Sequence, residues 1–202
     1  MLEWIRGLRP PGEPSQSLPP LGHRYDRRVI STARLLLRPF VLADAPKLLV
    51  MSGEEGMRRW IPDQVYRDHD HAEQVARALI AHTDNPPDPR VHPYVLGVEH
   101  LETRALIGHV GLSPARGSVE IGYAIEQRLQ GKGLATETVI AMAKWASAAL
   151  SLPEILGIVD AENVASCRVL TKAGFVRSGE ELRNAGDRAS TRLIYRFASR
   201  SP

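Results

Sequence analysis

Cysteine, aromatic residues, net charge and long apolar runs are all scarce in this chain of 202 residues. Its single cysteine, Cys167, excludes an intramolecular disulfide and leaves no cysteine framework for a metal. No apolar run reaches the roughly 18 residues that a membrane span needs. The opening MLEWIRGLRPPGEP has no apolar centre of the kind a secretion signal carries, so the expected setting is the cytoplasm. Formal net charge is +3; residues 1–28 hold five arginines against Glu3, Glu13 and Asp26, which leaves only +1 for the rest. A body so close to neutral lacks the electrostatic footprint of a nucleic-acid binder. Neither G-x-x-x-x-G-K-[ST] nor G-x-G-x-x-G occurs in the glycine-rich turn, which disfavours a nucleotide-phosphate enzyme. No internal repeat is present.

What remains is an ordinary globular composition, 43% apolar and 24% charged, in a chain long enough to bury one full core. The organising stretch is SVEIGYAIEQRLQGKGLA, residues 118–135. Alternating Val119, Ile121, Tyr123 and Ile125 predict a strand. Gln130-Gly131-Lys132-Gly133 predicts a tight turn, and a helical pattern follows from Leu134 to about Leu150. A strand feeding a glycine turn at a helix start suits an anionic ligand. The glycines reach positive φ, and the first-turn N–H groups have no partner within the helix.

Residues 1–28, with five prolines, are expected to form a poorly ordered or docked tail, in which Trp4, Ile5 and Leu8 could make one short amphipathic turn. A single domain is expected over 29–202. It opens with a strand at 32–40 closed by Pro39, and a helix capped by Asp44. Arg58 to Pro62 reads as a break between elements. A second helix is expected to be capped by Asp70 with Glu73 at N3, and Asn85 to Pro89 ends it. Strands are expected at His92–His100, Ala105–Leu112 and Val119–Glu126, joined as an antiparallel meander. After the long helix, Ile155–Val159 reads as a buried strand parallel to the Val119 strand, because a helix-length crossover excludes a hairpin. Asn163 caps the next helix and Gly174 ends it. Two closing strands, Phe175–Glu181 and Ser190–Phe197, flank a turn at Asn184 to Asp187.

Three phrases then converge. Gln130-x-x-Gly133-x-Ala135 resembles the Q/R-x-x-G-x-G/A loop of the GNAT superfamily of acyl-CoA N-acyltransferases. T-x-R-L-x-L-R at Thr32 to Arg38, followed by Asp44, resembles the opening of the GNAT branch that contains ribosomal-protein N-terminal acetyltransferases. Asn163-x-x-Ser166 running to Lys172-Ala173-Gly174-Phe175 resembles the N-x-x-S and K-x-G-F phrases of the same branch. The resemblance implies an α/β (α+β) GNAT fold: a mixed, mostly antiparallel twisted sheet of about seven strands, flanked by about four helices and splayed at strands 4 and 5. It also implies acetyl-CoA, or another acyl-CoA such as succinyl-CoA, as co-substrate, with no metal. The acceptor would be a primary amine, on a peptide N-terminus or a small molecule, and a homodimer is possible. A non-catalytic acyl-CoA-binding regulatory module is the alternative.

Residue by residue, the resemblance places Gln130, Gly131, Lys132, Gly133, Leu134, Ala135 and Thr136 around the coenzyme A pyrophosphate. It places the backbone of Ala124 and Ile125 along the pantetheine and near the oxyanion, although Ile125 also reads as a plain core residue. Asn163 would meet the pantetheine amide and Ser166 the thioester sulfur, where many relatives use a tyrosine as acid; both also read as helix-start residues. Amide formation needs a neutral amine, an oxyanion donor and a proton for the leaving thiolate. Glu120 and His109 are candidate bases, with Glu73 a further option and solvent a sufficient one for an α-amine. Cys167 reads as a small packed hydrophobe rather than a nucleophile. His69-Asp70-His71 reads as a solvated helix start rather than a metal site.

Overall fold

The computed structural model describes residues 29–84, 88–185 and 188–198. The tail at 1–28, the helix stop at 85–87 and the turn residues Gly186 and Asp187 lie outside the described residues. Eight strands and five helices make up the described part. In chain order they are β1 (Ile30–Ser31), β2 (Leu35–Arg38), α1 (Ala45–Ser52), α2 (Glu55–Trp60), α3 (His69–Asp84), β3 (Tyr94–His100), β4 (Leu106–Ala115), β5 (Ser118–Ile125), α4 (Leu134–Ala149), β6 (Glu154–Asp160), α5 (Val164–Lys172), β7 (Val176–Ala185) and β8 (Arg188–Ala198). The single sheet runs β1-β2-β3-β4-β5-β6-β8-β7. Every neighbouring pair is antiparallel except β5 and β6, which are parallel as expected.

The β5–β6 pairing is minimal. Only Glu120 and Leu156 are in register, and beyond that pair the strands part. This is the expected splay. Strand alternation gives it direction. The Glu126 N–H donates to Ile107 O on β4, and the Ala124 carbonyl lies against Gly108 of β4. Tyr123 and Ile125, which alternate with these residues, therefore turn their backbone groups toward the gap.

Packing is two-sided. On one face α4 and α5 bury Val139, Met142, Ala146 and Leu170 against Leu37, Tyr94, Leu96 and Val110. The Tyr94 ring stacks on Trp145 with centroids 5.2 Å apart. On the other face α1 and α3 bury Leu48, Ala72, Ala76 and Leu79 against Phe40, Val95 and Leu106.

Several local expectations change. The 32–40 strand is a hairpin instead, because Thr32 turns the chain: its N–H donates to Leu35 O at 2.9 Å and its hydroxyl accepts from Leu35 N–H at 2.9 Å. Asp44 does not cap α1 through its side chain. It is taken by the Arg38 guanidinium (2.8 and 3.0 Å) and the Val41 N–H (2.9 Å). Helix α2 runs on through Trp60, so the break expected from Arg58 to Pro62 narrows to Ile61 and Pro62. The cap of α3 is Asp68, whose Oδ1 accepts from His71 N–H at 2.8 Å, and not Asp70; Glu73 pairs with Arg77. Asn163, by contrast, caps α5 by accepting the Ser166 N–H, and Gly174 follows that helix at φ +88°.

Candidate active site

The parted strands open a cleft of about 470 Å³. Its walls come from β5 and β6, its floor from the start of α5 and its rim from the turn before α4. From the opposite face, Met57, Trp60 and Ile61 of the α2 region close it. Two contacts hold α1 and α2 over the opening. Lys47 Nζ donates to Glu126 Oε1 at 2.6 Å, and Glu54 accepts from the Gln127 N–H at 2.8 Å.

At the rim, Gly131 (φ +76°) and Gly133 (φ +80°) both lie in the left-handed region. Gly133 is the N-cap of α4, and the helix ladder begins with Glu137 N–H donating to Gly133 O. The amides from Gly133 to Thr136 consequently have no partner within the helix, and these four residues line the cleft. Such amides with the positive end of a 16-residue helix behind them favour an anion. The loop is held from outside. Glu137 accepts from the Thr32 hydroxyl (2.6 Å), the Arg34 N–H (3.0 Å) and Arg34 Nε (2.7 Å), while Arg34 Nη1 donates to Lys132 O at 3.1 Å. Burial works to raise the Glu137 carboxyl, but these donors hold it below its ordinary value. Gln130 ties the loop to the strand, its Nε2 donating to Ile125 O at 2.9 Å.

At the floor, Ser166 sits in the first turn of α5 and Asn163 beside it. The Asn163 Oδ1 is committed to the Ser166 N–H at 3.1 Å, leaving its side-chain amide nitrogen for the cleft. The Ser166 hydroxyl is 2.7 Å from Tyr123 Oη, which also lies 3.2 Å from the Ser166 carbonyl oxygen. Burial pushes the Tyr123 phenol well above its ordinary value, and the hydrogen bond with Ser166 only partly opposes this. It stays a neutral hydroxyl at any ordinary pH.

The far wall belongs to the other sheet face. Glu120 is buried and lines the cleft. Burial raises its pKa above the usual carboxylate range, with Arg192 and Arg116 pulling the other way. His109 is buried in β4 opposite Ala124 and does not line the cleft. Burial lowers its pKa to about 4, which keeps the imidazole neutral.

Comparison with known proteins fits this cleft. The model of the acetyltransferase (GNAT) domain matches residues 34–176. The chain belongs to the GNAT family. An uncharacterized N-acetyltransferase, YnaD of Bacillus subtilis (strain 168), is 28% identical over 152 residues, 74% of this chain and 84% of YnaD. The ribosomal-protein-S5-alanine acetyltransferase of Vibrio fischeri shares the fold at TM-score 0.69 and 20% identity, covering 84% of this chain and 96% of that one. RimJ of Mycobacterium smegmatis, solved with CoA-disulfide, aligns at TM-score 0.68 and 19% identity over 82% of each chain. The expected likeness to the ribosomal-protein branch is thus found in the fold, and the expected enzyme class, an N-acetyltransferase, is the class of the family.

Within this GNAT cleft the structure gathers Ile125, Gln130, Gly131, Gly133, Leu134, Ala135, Thr136, Asn163, Ser166 and Glu120. Lys132 does not line it; its carbonyl serves Arg34. Ala124 lines it, but its carbonyl faces β4, so the backbone groups aimed at the gap are those of Tyr123 and Ile125. Glu73 is turned to Arg77 and is not among the lining residues. Sequence reasoning missed Tyr123 as more than a strand residue. Its even spacing with Val119 and Ile121 does place it on the side that α5 covers. It also missed Arg34 as the brace of the loop, and Arg192 on the far wall.

Proposed function

We propose that the protein transfers an acetyl group from acetyl-CoA to a primary amine by direct attack in a ternary complex. The observation that carries this is a convergence. Free helix-start amides, the open edge of β5 and the Tyr123–Ser166 hydroxyl pair all face one cleft. The N–H groups from Gly133 to Thr136 fit a pyrophosphate, and the gap beside Tyr123 and Ile125 fits an extended pantetheine that hydrogen-bonds like an added strand. Asn163 offers its side-chain amide to that arm.

In the reaction a C–N bond forms, the C–S bond breaks, the amine gives up a proton and the departing thiolate gains one. The amine is approached from the Glu120 wall. A carboxylate of raised pKa is a stronger base than an exposed one, which suits it to take a proton from an ammonium. The Tyr123 or Ile125 N–H meets the oxyanion in a preorganised, largely dry site. Ser166 donates a hydrogen bond to the departing thiolate and Tyr123 one to Ser166, both staying neutral, while the proton the thiolate gains is the one the amine released, returned through solvent. Glu120 is the base in this reading, supported by its place in the lining, whereas His109 lies outside the lining and burial makes its imidazole a weak base. Cys167 takes no part, and a cytoplasmic enzyme is consistent with a lone thiol.

Release of free thiol from acetyl-CoA, and separately from succinyl-CoA, across a panel of amino acids, small amines and peptides tests the reading. Turnover above background with at least one amine is expected. Micromolar CoA binding without turnover on any of them would make the chain an acyl-CoA-binding regulatory module instead.

A further inference from the structure

The far wall of the cleft holds a cation that the acetyl transfer just described does not use. Sheet register fixes which residues share that wall. Glu120 is paired with Leu156, Ile158 with Ile194, and Asp160 with Arg192, so Glu120, Ile158, Asp160 and Arg192 all point to one face. It is the face covered by α1 and α3, because Glu120 pairs with Ser113, and Gly111, two residues before Ser113, pairs with Val95 of that core. Ser166 and Tyr123 belong to the opposite face. A thioester lying in the gap therefore has the thiolate donors on one side and Glu120 with Arg192 on the other, which is the side the amine must use.

Arg192 is half-buried and lines the cleft, and its Nη2 is buried without a hydrogen-bond partner among the described residues. Its neighbours in register are carboxylates, Asp160 on β6 and Glu181 on β7. Neither forms an ion pair with it; Glu181 is taken by Arg116. A guanidinium presents a rigid fork matched to a carboxylate, and leaving one of its buried N–H groups unmet is costly. The wall around it is mixed: Glu120 supplies a negative charge, and Met57, Trp60 and Ile61 supply apolar surface.

We propose that the acceptor is an amine that carries a carboxylate, with Arg192 binding the carboxylate, Glu120 the amine, and the Met57–Trp60–Ile61 surface an apolar side chain. The α-amino acid is the form to which these three features correspond. This rests on the transferase reading for the role of Glu120, but the subsite is testable by binding alone. The probes are leucine, methionine and phenylalanine, each as free acid and as amide, titrated calorimetrically into CoA-saturated protein. A peptide pair beginning Leu-Asp and Leu-Asn separates a side-chain carboxylate from an α-carboxylate. Succinyl-CoA serves as a check on the acyl side.

At least one free acid should bind at least about tenfold tighter than its amide, the gap expected of a charged hydrogen-bonded contact. Arg192→Gln should close most of that gap, and Arg192→Lys should keep part of it, which separates lost charge from lost folding. A preference for Leu-Asp over Leu-Asn with no preference among the free amino acids would overturn the α-amino acid assignment. Equal binding of all acids and amides, including none at all, would overturn it too. So would an Arg192→Gln variant that weakens succinyl-CoA and leaves the acids alone. Thiol release is scored in parallel. Acids that bind through Arg192 but are never acetylated would sink the transferase reading while leaving the subsite in place.

Discussion

Replacing Tyr123 by phenylalanine removes one oxygen atom and leaves the ring packed. That oxygen is 2.7 Å from Ser166 Oγ and 3.2 Å from the Ser166 carbonyl. When Tyr123 donates to Oγ, the Ser166 proton is free to point at the sulfur. Without that donor, Ser166 can turn its own proton elsewhere. In the ground state the loss is one neutral hydrogen bond, worth about 1 kcal/mol of stability. In the transition state the Ser166 hydrogen bond goes to a forming thiolate, and charge-assisted bonds are worth about 1.5–3 kcal/mol. At roughly 1.4 kcal/mol per factor of ten, kcat should fall about tenfold to a hundredfold while the KM for acetyl-CoA changes little. Thiol-release kinetics on Tyr123→Phe, Ser166→Ala and the double variant form the assay. Residues acting through one another give non-additive losses, so the double variant should be little slower than Ser166→Ala. A Tyr123→Phe enzyme with wild-type kcat, or losses that simply multiply, would refute the relay.

Arg34→Ala removes the brace between Glu137 and the Lys132 carbonyl; CoA should dissociate several-fold faster in stopped-flow while the melting temperature moves little, since the guanidinium is half-exposed and Glu137 keeps the Thr32 hydroxyl. Glu120→Gln should slow turnover and abolish the limb of the kcat/KM profile that rises with pH. It should also raise stability at neutral pH. With its folded pKa raised, Glu120 favours the fold below the unfolded pKa and loses that contribution as pH climbs through the folded value, so denaturation curves of the variant and the wild type should diverge as pH rises. Arg38→Ala removes the guanidinium that meets the buried Asp44 and Glu99 carboxylates at 2.7–2.8 Å; Glu99 keeps Arg104 and Asp44 keeps the Val41 N–H, so urea denaturation should show a loss of about 3 kcal/mol, the low end for a broken buried pair.

The parts legible in the sequence are those whose cause is local. Gly133 and Gly174 announce left-handed residues, Asn163 announces a cap and the alternation at Val119 announces a strand; all four stand where expected. The parallel β5–β6 pair followed from counting residues in the crossover. Illegible were contacts set by how distant elements pack. Tyr123 meets Ser166 across 43 residues, and Arg34 meets Glu137 across 103. No spacing rule reveals such pairs until the helices are laid on the sheet. Arg192 belongs with them, because its place beside Asp160 follows only from the β6–β8 pairing. Asp44 shows the reverse failure. Its residue type suits a cap, but Arg38, six residues earlier, claims the carboxylate first. At α3 two aspartates competed, and Asp68, one residue outside the helix, is the one in position to reach the His71 amide.

The whole account turns on main-chain amides from Gly133 to Thr136 holding a diphosphate. The most direct measurement is calorimetric affinity for coenzyme A in the wild type and in Gly133→Glu. The substitution forces a side chain onto a residue at φ +80° and brings a negative charge to the mouth of those amides. The account predicts micromolar binding in the wild type and at least a hundredfold loss, about 2.7 kcal/mol, in a variant that still melts cooperatively. Unchanged affinity in that folded variant would contradict it.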